Sequence, residues 1–174
     1  MKDILKPIIV LTSICLIVTA FLAYVNTVTS PIITAAEQKN AEQARMEVLP
    51  QAKNFQQLDI KDLPENVLEV FKGDNDSGYV IIVQSKGYGG NIKLICGIRN
   101  DGFIENIKTL SHSETSGIGS KVTDNNSDYR KNYFNKNSRN YGSVDAVSGA
   151  TISSKAYKKA VGLAFSAFDK AKEV

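Results

Sequence analysis

The alternation of apolar and polar positions changes character along the 174 residues, and each change predicts a different element. From Ile8 to Val25 no residue is charged, and Ile, Leu, Val, Phe and Ala dominate with only mild polar interruptions. That run is close to the ~20 residues a helix needs to cross a bilayer, so it predicts one transmembrane helix within an anchor of residues 1–30. Residues 31–49, rich in Ala, Glu, Gln, Lys and Arg after Ala35, predict a helical stalk that serves as a spacer and stops before Pro50. A break or kink is expected near Pro31.

Beyond residue 50 the dominant period shortens to that of strands. Val67–Phe71 and Tyr79–Val83 flank the turn-rich Gly73-Asp74-Asn75-Asp76-Ser77-Gly78, which predicts a hairpin. Ile92, Leu94, Cys96 and Ile98 alternate at period two, Asn100-Asp101-Gly102 supplies a turn, and Phe103–Leu110 returns as the partner strand. Cys96 then falls on a core-facing position. Asp124 to Asn140 is polar and asparagine-rich, yet Tyr129, Tyr133 and Phe134 have helical spacing, so a short helix is expected in a surface connection. Near the C-terminus Ala156, Ala160, Leu163, Ala164, Ala167, Phe168 and Ala171 recur at three- and four-residue spacing, predicting a helix from about Ser153. The fold expected is α+β: one domain of residues 50–174 with a twisted, mainly antiparallel sheet and packed helices, tethered by a single N-terminal membrane helix.

Charge and cysteine content narrow the setting. Lys2 and Lys6 precede the apolar run, while Asn26–Gln38 on its far side is neutral and then mixed. The positive-inside rule therefore puts the N-terminus in the cytoplasm and the domain outside it. A cleaved signal peptide is the competing reading of these features, but the apolar run is longer than a typical signal core. Cys15 lies in the span and Cys96 is alone in the domain, so no disulfide within the domain is available. With one histidine, His112, there is little material for a histidine metal site, and none is assigned. The net charge of +3 argues against nucleic-acid binding through the aromatic residues.

The chemistry concentrates at Asp145-Ala146-Val147-Ser148-Gly149-Ala150-Thr151, just before the C-terminal helix. The first N–H groups of a helix lack internal partners and carry the positive end of its dipole, so an anion there is stabilised without a neighbouring cation. Gly149 and Ala150 let a phosphate lie against the main chain beside Ser148, Thr151 offers a hydroxyl, and Lys155 adds charge from the first turn. Taken alone, such a stretch is equally ordinary capping chemistry. Two further stretches carry glycine: Gly87-Tyr88-Gly89-Gly90-Asn91-Ile92 and His112-Ser113-Glu114-Thr115-Ser116-Gly117-Ile118-Gly119. By composition, both also read as tight turns.

Taken together and in this order, the three stretches resemble the FMN-binding domains of the G subunit of Rnf-type ion-translocating ferredoxin:NAD oxidoreductase complexes. The same family includes the C subunit of sodium-pumping NADH:quinone reductases. Asp145–Thr151 matches its D-x-x-S-G-A-T flavinylation motif, and Glu114–Gly119 matches E-T-P-G-L-G with Ser116 for proline and Ile118 for leucine. The resemblance implies FMN held covalently through its phosphate to Thr151, placed there from FAD by a flavin transferase. It also implies a pocket that includes Glu114, Thr115, Gly117, Ile118 and Gly119, and an electron-carrying role beside integral membrane subunits, with no catalytic residue of its own. The expected function is thus an electron-transfer subunit of a membrane complex coupling ferredoxin:NAD electron transfer to sodium or proton translocation. The quinone reductase C subunit, a free-standing extracytoplasmic flavoprotein and a non-redox binding module remain as alternatives, the compact length favouring the Rnf assignment over the first.

Overall fold

The computed structural model describes residues 2–173. Two compact units separate at Lys39/Asn40, Met1–Lys39 and Asn40–Val174. The first lies within helix α1 (Lys2–Val48), whose last residues belong to the second unit; α1 contains a segment apolar and long enough to cross a membrane, and its apolar side chains there are exposed, as a lipid-facing helix requires. The break expected near Pro31 is absent: α1 is continuous through both Pro7 and Pro31. A proline removes one backbone donor, and the helix continues past it on the bonds that remain. The hydroxyls of Thr27 and Thr34 bond back to the carbonyls of Ala23 and Ser30 at 2.9 and 3.0 Å, so these polar side chains too are satisfied within the helix.

The second unit is built on an antiparallel meander in the order β1 (Phe55–Gln57), β2 (Val67–Gly73), β3 (Gly78–Lys86), β4 (Asn91–Arg99) and β5 (Ile104–Ser111). The two hairpins expected from period-two patterning are present, with Ile81 opposite Cys96 and Cys96 opposite Ile107. The short edge strand β1 carries no apolar alternation, and its sequence does not predict it. Tyr79–Val83 is apolar at every position because β3 is central and covered on both faces. On one face Ile81, Val83, Leu94, Cys96, Ile98 and Ile107 pack with the buried stripe of α3 (Thr151–Lys172), including Ala156, Tyr157, Ala160, Ala164 and Phe168. On the other, Val80, Ile82, Ile95 and Phe71 pack against Ala44, Val48, Leu49 and Ala52.

The end of the expected spacer is therefore part of the core. Val48 crosses Gly97 so closely that a Cβ at Gly97 would lie 2.6 Å from the Val48 carbonyl carbon. Asn106 Nδ2 donates to the Glu47 carbonyl at 3.1 Å, Lys108 pairs with the Glu47 carboxylate at 2.6 Å, and the Arg45 guanidinium sits 4.3 Å from the Phe71 ring centre. A first helical piece, α2 (Ser120–Thr123), precedes residue 124, and the short helix expected within residues 124–140 forms as a second piece, a 3-10 helix at Asp128–Tyr133. Tyr129 and Tyr133 of the second piece are buried with Tyr157 of α3, Tyr129 meeting both other rings edge-on, so this connection is anchored in the core and not merely laid on the surface.

Candidate functional site

Helix α3 begins at Thr151, two residues earlier than its periodicity suggested, because the preceding turn delivers an already closed first turn. Gly149 takes φ +81°, a conformation that residues with a Cβ rarely adopt. Ala150 N–H then donates to the Val147 carbonyl and Ser154 N–H to the Ala150 carbonyl, both at 2.9 Å. No side chain caps the helix, and the N–H groups of Thr151, Ile152 and Ser153 have no acceptor among the described residues. An uncapped helix of 22 residues thus presents free donors and the positive end of its dipole.

These donors open onto a groove of about 370 Å³, within the range typical of small-molecule sites. One wall is Gly149, Ala150, Thr151, Ile152 and Ser153; the other is Glu114, Thr115, Ile118, Gly119 and Tyr88. Three large side chains on its rim stand well out in solvent, Tyr88 at 72%, Ile152 at 54% and Ile118 at 53%. Apolar groups this exposed and this close together mark a ligand or contact surface. Apolar side chains lining the same groove as free backbone donors are what an amphiphile with an anionic end and a flat apolar ring requires, so the residues present fit FMN.

The two glycine stretches meet here around one buried carboxylate. Gly87–Gly90 forms the turn between β3 and β4, closed by Gly87 N–H on the Gly90 carbonyl at 2.8 Å. Glu114, only 8% exposed, accepts from Gly89 N–H at 3.0 Å with Oε1 and from the Ser153 hydroxyl with Oε2. Its own N–H donates to His112 Nδ1 at 3.2 Å, which gives the single histidine a structural role. A Cβ on Gly119 would lie 2.8 Å from Glu114 Cβ, and one on Gly87 3.1 Å from Glu114 Cδ. These glycines are required by the Glu114 side chain they surround, not only by turn geometry.

The structure thus brings Thr151, Gly149, Ala150, Glu114, Thr115, Ile118 and Gly119 into one groove. Ser148, Gly117 and Lys155 fall outside its lining; Gly117, at φ +78°, shapes the loop, its N–H donating to Ser120 Oγ at 2.8 Å. Tyr88, Ile152 and Ser153 line the groove although the sequence motifs do not single them out as contacts. Ile152 has a legible signal: it is a large apolar residue off the buried stripe of α3. Cys96 lies away from the groove, and burial pushes its thiol up to about 12, which makes it inert.

A family model described as FMN-binding domain matches residues 87–166, which span every wall of the groove. Among curated proteins, the G subunit of the ion-translocating oxidoreductase complex of Methanosarcina acetivorans is 31% identical, the alignment covering 89% of each chain. The G subunit of the proton-translocating ferredoxin:NAD(+) oxidoreductase complex of Clostridium ljungdahlii is also 31% identical, over 87% of this chain and 84% of its own. Its counterpart in the Na(+)-translocating ferredoxin:NAD(+) oxidoreductase complex of Acetobacterium woodii is 28% identical, over 96% and 92%. With a membrane-length helix ahead of an FMN-binding domain and such likeness over nearly its whole length, the chain belongs to the G-subunit family of ion-translocating oxidoreductase complexes.

Proposed function

We propose that this protein is the electron-transfer subunit of an Rnf-type complex coupling ferredoxin:NAD electron transfer to ion translocation, and that it carries FMN joined through phosphate to Thr151. The observation that carries the attachment is the state of the Thr151 hydroxyl: exposed, free of any hydrogen bond among the described residues, and in the groove at an uncapped helix start. The N–H groups of Thr151, Ile152 and Ser153 receive the phosphate oxygens, and Gly149 and Ala150 leave the main chain open to them. Tyr88, Ile118 and Ile152 hold the ring and keep water from its face. Fixing the ring orientation in this way is the protein's contribution to electron transfer, since rate depends on a defined edge and distance. The flavin itself, when bound, supplies the redox chemistry.

Attachment exchanges the Thr151 O–H bond for an O–P bond; with FAD as donor, the phosphoanhydride breaks and AMP leaves, the proton passing to the flavin transferase. The domain lies outside the cytoplasm, following the lysine asymmetry at the N-terminus. A covalent link there prevents loss of a soluble cofactor, and the partners are the integral membrane subunits of the complex. The test is expression of the full chain with a flavin transferase, followed by fluorescence of the denatured protein in a gel and peptide mass analysis. Wild type should carry FMN on the Thr151 peptide and Thr151→Ala none; an undiminished fluorescent band in the variant refutes the assignment.

A further inference from the structure

The start of α3 holds more than one hydroxyl of the kind a phosphoryl-transfer enzyme uses, and the structure treats them differently. Ser153 and Ser154 are 3% and 1% exposed. The Ser154 hydroxyl accepts from Val147 N–H at 3.0 Å, and the Ser153 hydroxyl donates to Glu114 Oε2. Ser153 nevertheless lines the same groove as Thr151, with the Glu114 carboxylate standing over it. We infer that Glu114 is a positioning residue that determines which hydroxyl is flavinylated: its carboxylate withholds the Ser153 oxygen from phosphoryl transfer and leaves Thr151 as the reactive group in the groove. This rests on the attachment to Thr151 proposed above.

The physical basis is twofold. A hydroxyl that donates to a carboxylate is held in one orientation, and the negative charge beside it repels the phosphate groups of an incoming dinucleotide. Nothing comparable restrains Thr151. The same carboxylate accepts from Gly89 N–H, so it also joins the β3–β4 turn to the helix start and keeps the groove's walls in register. Gly87 and Gly119 leave room for that side chain and little else, which explains why both loops carry glycine where they meet it.

The inference is tested by mapping the flavin on the full membrane-anchored chain made with a flavin transferase and FAD. The wild-type map comes first, because FMN on a residue other than Thr151 sinks the attachment proposal independently of this one. With FMN on Thr151 in wild type, Thr151→Ala should leave Ser153 unlabelled. Adding Glu114→Ala to that variant frees Ser153 and should raise its labelling by on the order of ten- to a hundred-fold, the factor corresponding to a hydrogen bond to a charged acceptor. Glu114→Gln in the same background keeps the Gly89 contact through the amide oxygen but removes the negative charge and the acceptor of the Ser153 hydroxyl, so it should also raise Ser153 labelling, and an unlabelled Ser153 in that folded variant overturns the inference. A generally structural role for Glu114 would change the amount of flavin but not move it to Ser153. Glu114→Asp, whose shorter arm cannot span both partners, replaces the alanine variant if that protein does not fold. Labelling of Ser153 with Thr151→Ala alone overturns the inference, as does its absence in a folded double variant.

Discussion

Replacing Gly97 by alanine tests how the end of α1 is fastened to the sheet. The new Cβ would stand 2.6 Å from the Val48 carbonyl carbon and 3.2 Å from Val48 Cβ. The nearer atom is backbone, so no rotamer change relieves the clash and the helix end must lift. Lifting strains the Asn106 bond to the Glu47 carbonyl and partly uncovers Ala44, Val48 and Leu49, all fully buried against Val80, Ile82 and Ile95. Overpacking of this kind costs about 1–3 kcal/mol. Fully exposing one Val or Leu costs about 1.5–3 kcal/mol, of which a small displacement forfeits a fraction. A total loss of roughly 2–4 kcal/mol is expected, a large share of the ~5–15 kcal/mol available to a domain. That corresponds to a fall in melting temperature of on the order of 10 °C. The assay is thermal unfolding of the full chain in detergent, followed by circular dichroism, with Gly142→Ala as control because a Cβ there meets nothing within 4 Å. If Gly97→Ala melts together with Gly142→Ala, the close packing of Val48 on the sheet is wrong.

Further outcomes follow from the groove and the core. Lys155→Ala should leave flavin attachment unchanged, since Lys155 lies outside the groove lining; a loss of labelling would restore it to the site. Ile118→Ser and Thr115→Val should keep FMN on Thr151 but shift its potential or slow its reduction, and unchanged potential and rates in both would remove that loop from the ring's surroundings. In the folded protein Cys96 should resist thiol reagents until unfolding, because burial raises its thiol to about 12. Its folded value is raised, so the stability it contributes is present below the unfolded value of 9.0 and is lost as pH rises toward about 12; rapid native-state labelling near neutrality would contradict this. A cysteine placed at Asn126 should react with a membrane-impermeant label in intact cells, and protection until lysis would reverse the orientation.

Much of the fold is legible because its signals are local. The apolar run from Ile8 to Val25, the period-two alternation around Cys96 and the helical spacing from Ala156 onward each report an element within a few residues. β1 escapes such a reading because three residues without apolar alternation look like loop, and pairing with β2 alone makes Phe55–Gln57 a strand. The proposed attachment motif is legible for the same local reason: the turn at Gly149 and the helix it starts adjoin Thr151 in the chain.

The sequence by itself determined the membrane-length helix, the hairpins, the α3 stripe and the candidacy of Thr151, since each depends on spacings of two to four residues or on a contiguous motif. Tertiary structure alone decided that the stalk ends inside the core, because Val48 and Gly97 meet only once helix and sheet are packed. It also decided the state of each hydroxyl. Gly89, Glu114 and Ser153 belong to three separate stretches, and no local pattern tells which of them will touch. Glu114 engages Ser153 and leaves Thr151 free because folding brings distant segments around a single buried carboxylate that must find its hydrogen bonds there.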